Sequence, residues 1–285
     1  MKRILSGLLA AMLLILCGCA SNPTAAQLVC TTLPVYDFTA RLCAGTDLVV
    51  TQLITENVSC LHDYTLKPTQ MRVIEKADAV ILSGAGLEDF LHDALADARH
   101  VINASDGLAL HHAHDNHHDH SSDPHIWLSP ANAMVMASNI CSSLCTFYPD
   151  RESAFKENLV SLLAELEQLQ TSGIVQLQPL SSRELITFHD GFSYMAEAFN
   201  LQIIKSVEEE SGSEASAADL IEIIKLVQTR DIPAIFTENN GSTAAADIIV
   251  RETDVDCYAL DMAISGDSYF EAMYHNINTL REALQ

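Results

Sequence analysis

A chain of 285 residues with 15 Lys and Arg against 38 Asp and Glu carries a formal charge of −23, which argues against a nucleic-acid groove or a basic cradle for phosphate. Its 48% apolar content is enough for one large core or two lobes. Beyond an N-terminal run of thirteen residues, no apolar stretch approaches the roughly 20 residues that a bilayer span needs.

In chain order, Met1-Lys2-Arg3 is a basic start, residues 4–16 are apolar, and Leu16-Cys17-Gly18-Cys19 follows. This reads as a secretory signal over residues 1–18. Its end resembles the lipobox of bacterial lipoproteins, in which the cysteine after a small residue is lipidated. Cys19, after Gly18, is the expected anchor; Cys17 is the weaker one, since Leu16 would stand at the small-residue position. Residues 19–27 then form a tether, and the protein is expected outside the cytoplasm, lipid-anchored to the outer face of the cell membrane. Removing residues 1–18 takes away Lys2 and Arg3, leaving 267 residues with a charge of −25.

From residue 28 the pattern alternates strand and helix. Residues 28–33 read as a strand, 36–42 as a helix ending near Gly45, 48–54 as a β-rich run, 68–76 as a helix opened by Pro68, 79–83 as a short buried strand and 87–98 as an amphipathic helix. Ser129-Pro130 starts another helix, with a capping hydroxyl and Pro at its first position. Together these make an N-terminal α/β lobe over 28–148. After Asp150, Phe155, Leu159, Leu162, Leu166 and Leu169 recur at intervals of four and three, predicting a helix of about 25 residues within 149–178. Its place at mid-chain suits a rigid connector. Strands at 184–188, 201–207, 233–237 and 256–260 then build a second α/β lobe over 179–285. The fold class is α/β: two lobes, each with a small, mostly parallel sheet flanked by helices, joined by one long helix. Cys30, Cys43, Cys60, Cys141, Cys145 and Cys257 show no CxxC spacing and are expected mainly as buried thiols.

Six of the twelve histidines, His111, His112, His114, His117, His118 and His120, crowd into ten residues of a polar loop spanning 111–122. Neutral imidazole is the commonest ligand for zinc and its neighbours, so the loop is an accessory metal site. The isolated candidates fall at strand ends. His189 follows the strand ELITF, Asp261 follows DCYAL, His62 lies in the loop after the second strand, and His125 precedes Trp127 and the Ser129 cap. Ligands of parallel sheets sit beyond the carboxyl ends of the strands. Three imidazoles and one carboxylate complete a tetrahedral zinc shell, and Glu238, at the end of PAIFT, is a candidate to orient a ligand histidine. The run Glu208-Glu209-Glu210 reads as a solvated acidic loop.

These segments also carry a family resemblance. His62-Asp63-Tyr64 through Pro68-Thr69, Asp78 through Glu88, Asp123-Pro124-His125-Ile126-Trp127-Leu128-Ser129-Pro130, Thr187-Phe188-His189-Asp190-Gly191-Phe192, and Ala259-Leu260-Asp261 resemble, in order, five blocks of the metal-binding receptors of bacterial zinc and manganese ABC importers (cluster A-I). The resemblance implies two α/β lobes joined by a long helix, metal held between them, and delivery to an ABC permease and through it to its ATPase, with the receptor a monomer. The third histidine and the histidine-rich loop are similar to zinc-type members, so Zn2+ is the expected cargo and Mn2+ or iron the alternative. Where some zinc-type members carry Glu before the first histidine, this chain has Leu61, which leaves Asp261, or a water, as fourth ligand. A surface adhesin is a further alternative. A zinc hydrolase is the least favoured, because it needs an open coordination position and a general base, and no His-Glu-x-x-His occurs.

Overall fold

The computed structural model describes residues 27–58, 61, 64–96, 98–111, 122–207, 215–239 and 241–285. Strands β1 (Gln27–Cys30), β2 (Val49–Gln52), β3 (Ala79–Leu82) and β4 (Val101–Asn103) form one sheet in the order β2-β1-β3-β4. A second sheet holds β5 (Glu184–Thr187), β6 (Gln202–Ser206), β7 (Ala234–Glu238) and β8 (Asp256–Leu260) in the order β6-β5-β7-β8. Every pairing is parallel. Parallel neighbours cannot be joined by hairpins, so each connection crosses back over the sheet, usually as a helix.

In the first lobe those crossovers are α1 (Leu33–Leu42), α2 (Pro68–Lys76) and a 3-10 turn at Asp89–Leu91 that runs into the single turn α3 (His92–Leu95). Pro34, in the first turn of α1, presets helical φ and draws the helix start back to Leu33, so β1 stops at Cys30 rather than reaching residue 33. Of the helix expected over 87–98, only the stretch 89–95 is helical among the described residues, as the 3-10 turn and α3. Gly84, Ala85 and Gly86 all take positive φ, turning the chain where the helix should gather its first residues. Strand β4 went unforeseen because three residues give no period to read.

Helix α4 (Pro130–Phe147) begins as expected, with Ser129 Oγ accepting the Asn132 N–H at 3.4 Å. Helix α5 (Glu152–Leu177) runs 26 residues, about 39 Å at 1.5 Å per residue, and buries Phe155, Leu162, Leu166, Leu169 and Leu177. It touches both halves. Arg41 of α1 reaches Glu165 at 2.7 Å, while a Cβ at Gly173 would lie 2.4 Å from the Phe199 ring, so only glycine lets the helix lie so close to the second lobe. That lobe adds α6 (Ser193–Ala198), α7 (Ala217–Arg230), α8 (Ala244–Thr253) and α9 (Tyr269–Leu284). One large core runs from β1 through Trp127 and Phe155 to Tyr269 and Leu284; a smaller one, with Ile186, Ile223, Ile235 and Ile249, fills the other face of the second sheet.

Cys30, Cys43 and Cys141 are buried, and burial pushes the Cys30 and Cys43 thiols up to about 12, where they act as small apolar groups. Cys145 is half-buried, and Cys257 is exposed on edge strand β8 rather than buried. Cys60 lies outside the described residues, as do Cys17, Cys19 and the whole of residues 1–26. Among the described residues no helix is long and apolar enough to cross a membrane.

Glu88 ties the strand ends of the first lobe together. Its carboxylate accepts from Thr31 Oγ at 2.6 Å, Ser83 N at 2.7 Å and Gly84 N at 2.9 Å. Burial outweighs these bonds and raises the group from 4.5 to about 7. The folded chain therefore holds one proton more than the unfolded chain between those values. The contribution to stability is complete below about pH 4.5 and is lost as pH rises through about 7. Melting of the wild-type protein should lose a few degrees across that window, and Glu88→Gln should flatten the loss. Equal slopes in the two proteins would show that Glu88 is not its source.

Candidate metal centre

His125 sits where the chain turns from the histidine-rich loop into the 3-10 turn Ile126–Leu128. Its place is set by Asp123, whose Oδ1 accepts both the His125 backbone N–H at 2.9 Å and the ring Nδ1–H at 2.8 Å. A carboxylate only accepts, so Nδ1 carries the proton and the Nε2 lone pair faces away from Asp123. Burial would raise the Asp123 carboxyl, but hydrogen bonds from His125 and Ser193 more than offset it and hold the group below its usual value. Trp127, two residues on, is fully buried. Its indole N–H donates to the Met262 carbonyl at 2.7 Å, and its own carbonyl accepts the Tyr269 hydroxyl at 2.8 Å, stitching this turn to the second lobe.

His189 comes from that lobe, two residues beyond β5. Between β5 and β7 the strand order reverses direction, the position at which parallel sheets open a crevice. Its Nε2 lies 3.4 Å from Nε2 of His125, with the ring planes at 89° and each residue only 2% exposed. Gly191 makes the approach possible, since a Cβ there would be 2.8 Å from His189 Cδ2 and 2.6 Å from Met262 Cε. Among the described residues, Nδ1 of His189 is buried without a hydrogen-bond partner. Two imidazole nitrogens bound to one tetrahedral zinc at 2.0–2.1 Å stand roughly 3.3–3.4 Å apart. The pair therefore has the spacing of two ligands of one ion.

Asp261 follows β8 as expected and is held firmly. The Asn276 side chain accepts its N–H and donates to its carbonyl, both at 2.7 Å, and its carboxylate accepts from Ala263 N at 2.7 Å and Asn239 Nδ2 at 3.1 Å. It lines a cavity of about 270 Å³ with Asn57 and Val58 of the first lobe and Asn239, Met262 and Ser265 of the second. Among the described residues, no three His, Cys, Asp or Glu side chains converge on one point. His62 lies outside the described residues, so the structure brings together two of the four expected ligands.

Glu238, expected to orient a ligand histidine, is buried at the end of β7, and the carboxylate that bonds His125 is Asp123. Asp123 stood in plain view two residues before His125, and a carboxylate at that spacing is the signal that could have found it. Of the histidine-rich loop only His111 is described. Its ring stacks on Tyr194 at 4.1 Å and its Nε2 lies 2.8 Å from Glu197. His112, His114, His117, His118 and His120 lie outside the described residues, as does the run Glu208-Glu209-Glu210.

A family model described as ZnuA, zinc-uptake complex component A periplasmic, matches residues 28–283. A protein of Treponema pallidum (strain Nichols) named for metal binding is 28% identical over 262 residues, 85% of this chain and 82% of that protein. The zinc-binding lipoprotein AdcA of Streptococcus pneumoniae (strain ATCC BAA-255 / R6) is 27% identical over 99% of this chain, which spans only 61% of AdcA. A crystal structure of ZnuA superimposes with a TM-score of 0.83 at 27% identity, covering 92% of this chain and all of that one.

Proposed function

Because the chain belongs to the family of periplasmic zinc-uptake component A, we propose that it captures Zn2+ outside the cytoplasm and hands it to the permease of an ABC importer. His62, His125 and His189 are the imidazole ligands, and Asp261 or a water completes the shell. The observation that carries the reading is the buried Nε2 pair of His125 and His189 at 3.4 Å, one nitrogen from each lobe. Three nitrogen ligands favour zinc over manganese, which prefers oxygen. With Asp261 as the fourth ligand the shell is closed and leaves no seat for a catalytic water, which supports a receptor rather than an enzyme.

The division of the chain follows from this role: a signal over 1–18, lipid on Cys19, a tether over 19–27, lobes over 28–148 and 179–285, and a connector over 149–178. The loop histidines 111, 112, 114, 117, 118 and 120 hold further ions more weakly than the strand-end ligands, whose places the two sheets set in advance. The strongest test is metal analysis of protein purified without added metal, followed by competition with a zinc chelator. One tightly held zinc per chain is expected. Manganese or iron at that stoichiometry, or no retained metal with only weak zinc binding, would overturn the reading.

A further inference from the structure

The proposed ligand His125 belongs to the first lobe, yet the groups that fix its supporting carboxylate belong to the second. Asp123 Oδ1 is taken up by His125, and Oδ2 accepts a hydrogen bond from Ser193 Oγ, at the start of α6. The next residue, Tyr194, donates its hydroxyl to the Asp123 carbonyl at 3.1 Å and accepts the His111 N–H at 2.9 Å. Helix α6 follows His189 by four residues, so one short segment supplies both the second ligand and the brace for the first. Asp123 and Ser193 are 70 residues apart in sequence, and nothing but lobe packing brings them together.

We propose that Ser193 is a positioning residue that makes the orientation of His125 depend on contact between the lobes. With the lobes together, Ser193 holds Asp123 against rotation, Asp123 holds the Nδ1–H tautomer, and Nε2 stays aimed at His189. Parting of the lobes removes the Ser193 and Tyr194 bonds at once, frees the carboxylate to turn toward water, and takes the aim from His125. Slow release of zinc while the lobes touch, and fast release once they part, follow from the same two residues.

This inference rests on zinc being the cargo, so its test has one arm that uses zinc and one that does not. In the full chain, Ser193→Ala should raise the zinc dissociation rate, measured in excess chelator, by about 3- to 10-fold, the worth of one hydrogen bond, with the association rate little changed. Ser193→Thr keeps the hydroxyl and should restore the wild-type rate. In the metal-free chain, nitrogen NMR should find His125 as a single Nδ1–H tautomer, and Ser193→Ala should give a mixture. A merely structural role would lower melting temperature without moving the tautomer. An unchanged dissociation rate in the alanine variant, failure of threonine to rescue, or a single unchanged tautomer would each overturn the proposal. Absence of zinc binding by the wild-type chain would sink the functional reading instead, and the tautomer arm would still decide the role of Ser193.

Discussion

Replacing His189 with alanine should weaken tight zinc binding by roughly 100- to 1,000-fold, the share of one ligand in a four-ligand site whose binding is about 10–16 kcal/mol. His125→Ala should do the same, because the two nitrogens stand equally in the 3.4 Å pair and each residue is 2% exposed. His62→Ala is expected to match them if it supplies the third nitrogen. Asp261→Ala should cost less, since a water can replace one oxygen. Chelator competition on each purified variant, with circular dichroism to confirm folding, decides the matter. A histidine variant that binds zinc as tightly as the wild type would remove that residue from the shell.

Asp123→Ala should lower zinc affinity by about 10- to 100-fold without touching the ion, the usual cost of losing the carboxylate behind a ligand histidine. Two effects combine. The ring loses the acceptor that keeps its proton on Nδ1, and the His125 backbone N–H, bonded at 2.9 Å, loses its partner. Asp123→Asn separates them: an amide oxygen can still accept both bonds, so the loss should be smaller and should reflect charge alone. Isothermal titration with zinc in competition with a chelator measures both. If the alanine variant binds as tightly as wild type, His125 is oriented by something other than Asp123.

What could be read in advance follows from how local each feature is. The stripe Phe155, Leu162, Leu166 and Leu169 repeats along a single helix, so α5 was legible to within a few residues of its ends. The strand-end positions of His189 and Asp261 were legible because a parallel strand announces its own carboxyl end. Asn276 clamps Asp261 from α9, and Ser193 braces Asp123 from the other lobe; neither leaves a mark in its own segment, because each contact exists only after distant elements pack. The helix expected over 87–98 is helical only over 89–95, after a turn in which one alanine between two glycines takes the same left-handed conformation that they do.

The clamps of α9 also set an order of events. Both sheets are complete once β8 has formed, yet the carbonyl of Trp127 waits for Tyr269 and the backbone of Asp261 waits for Asn276. Tyr269, Met273, Ile277, Leu280 and Leu284 also belong to the large core, so that core and the crevice are completed by the same helix. The bracing of the crevice therefore arises with the last helix of the chain rather than with either sheet.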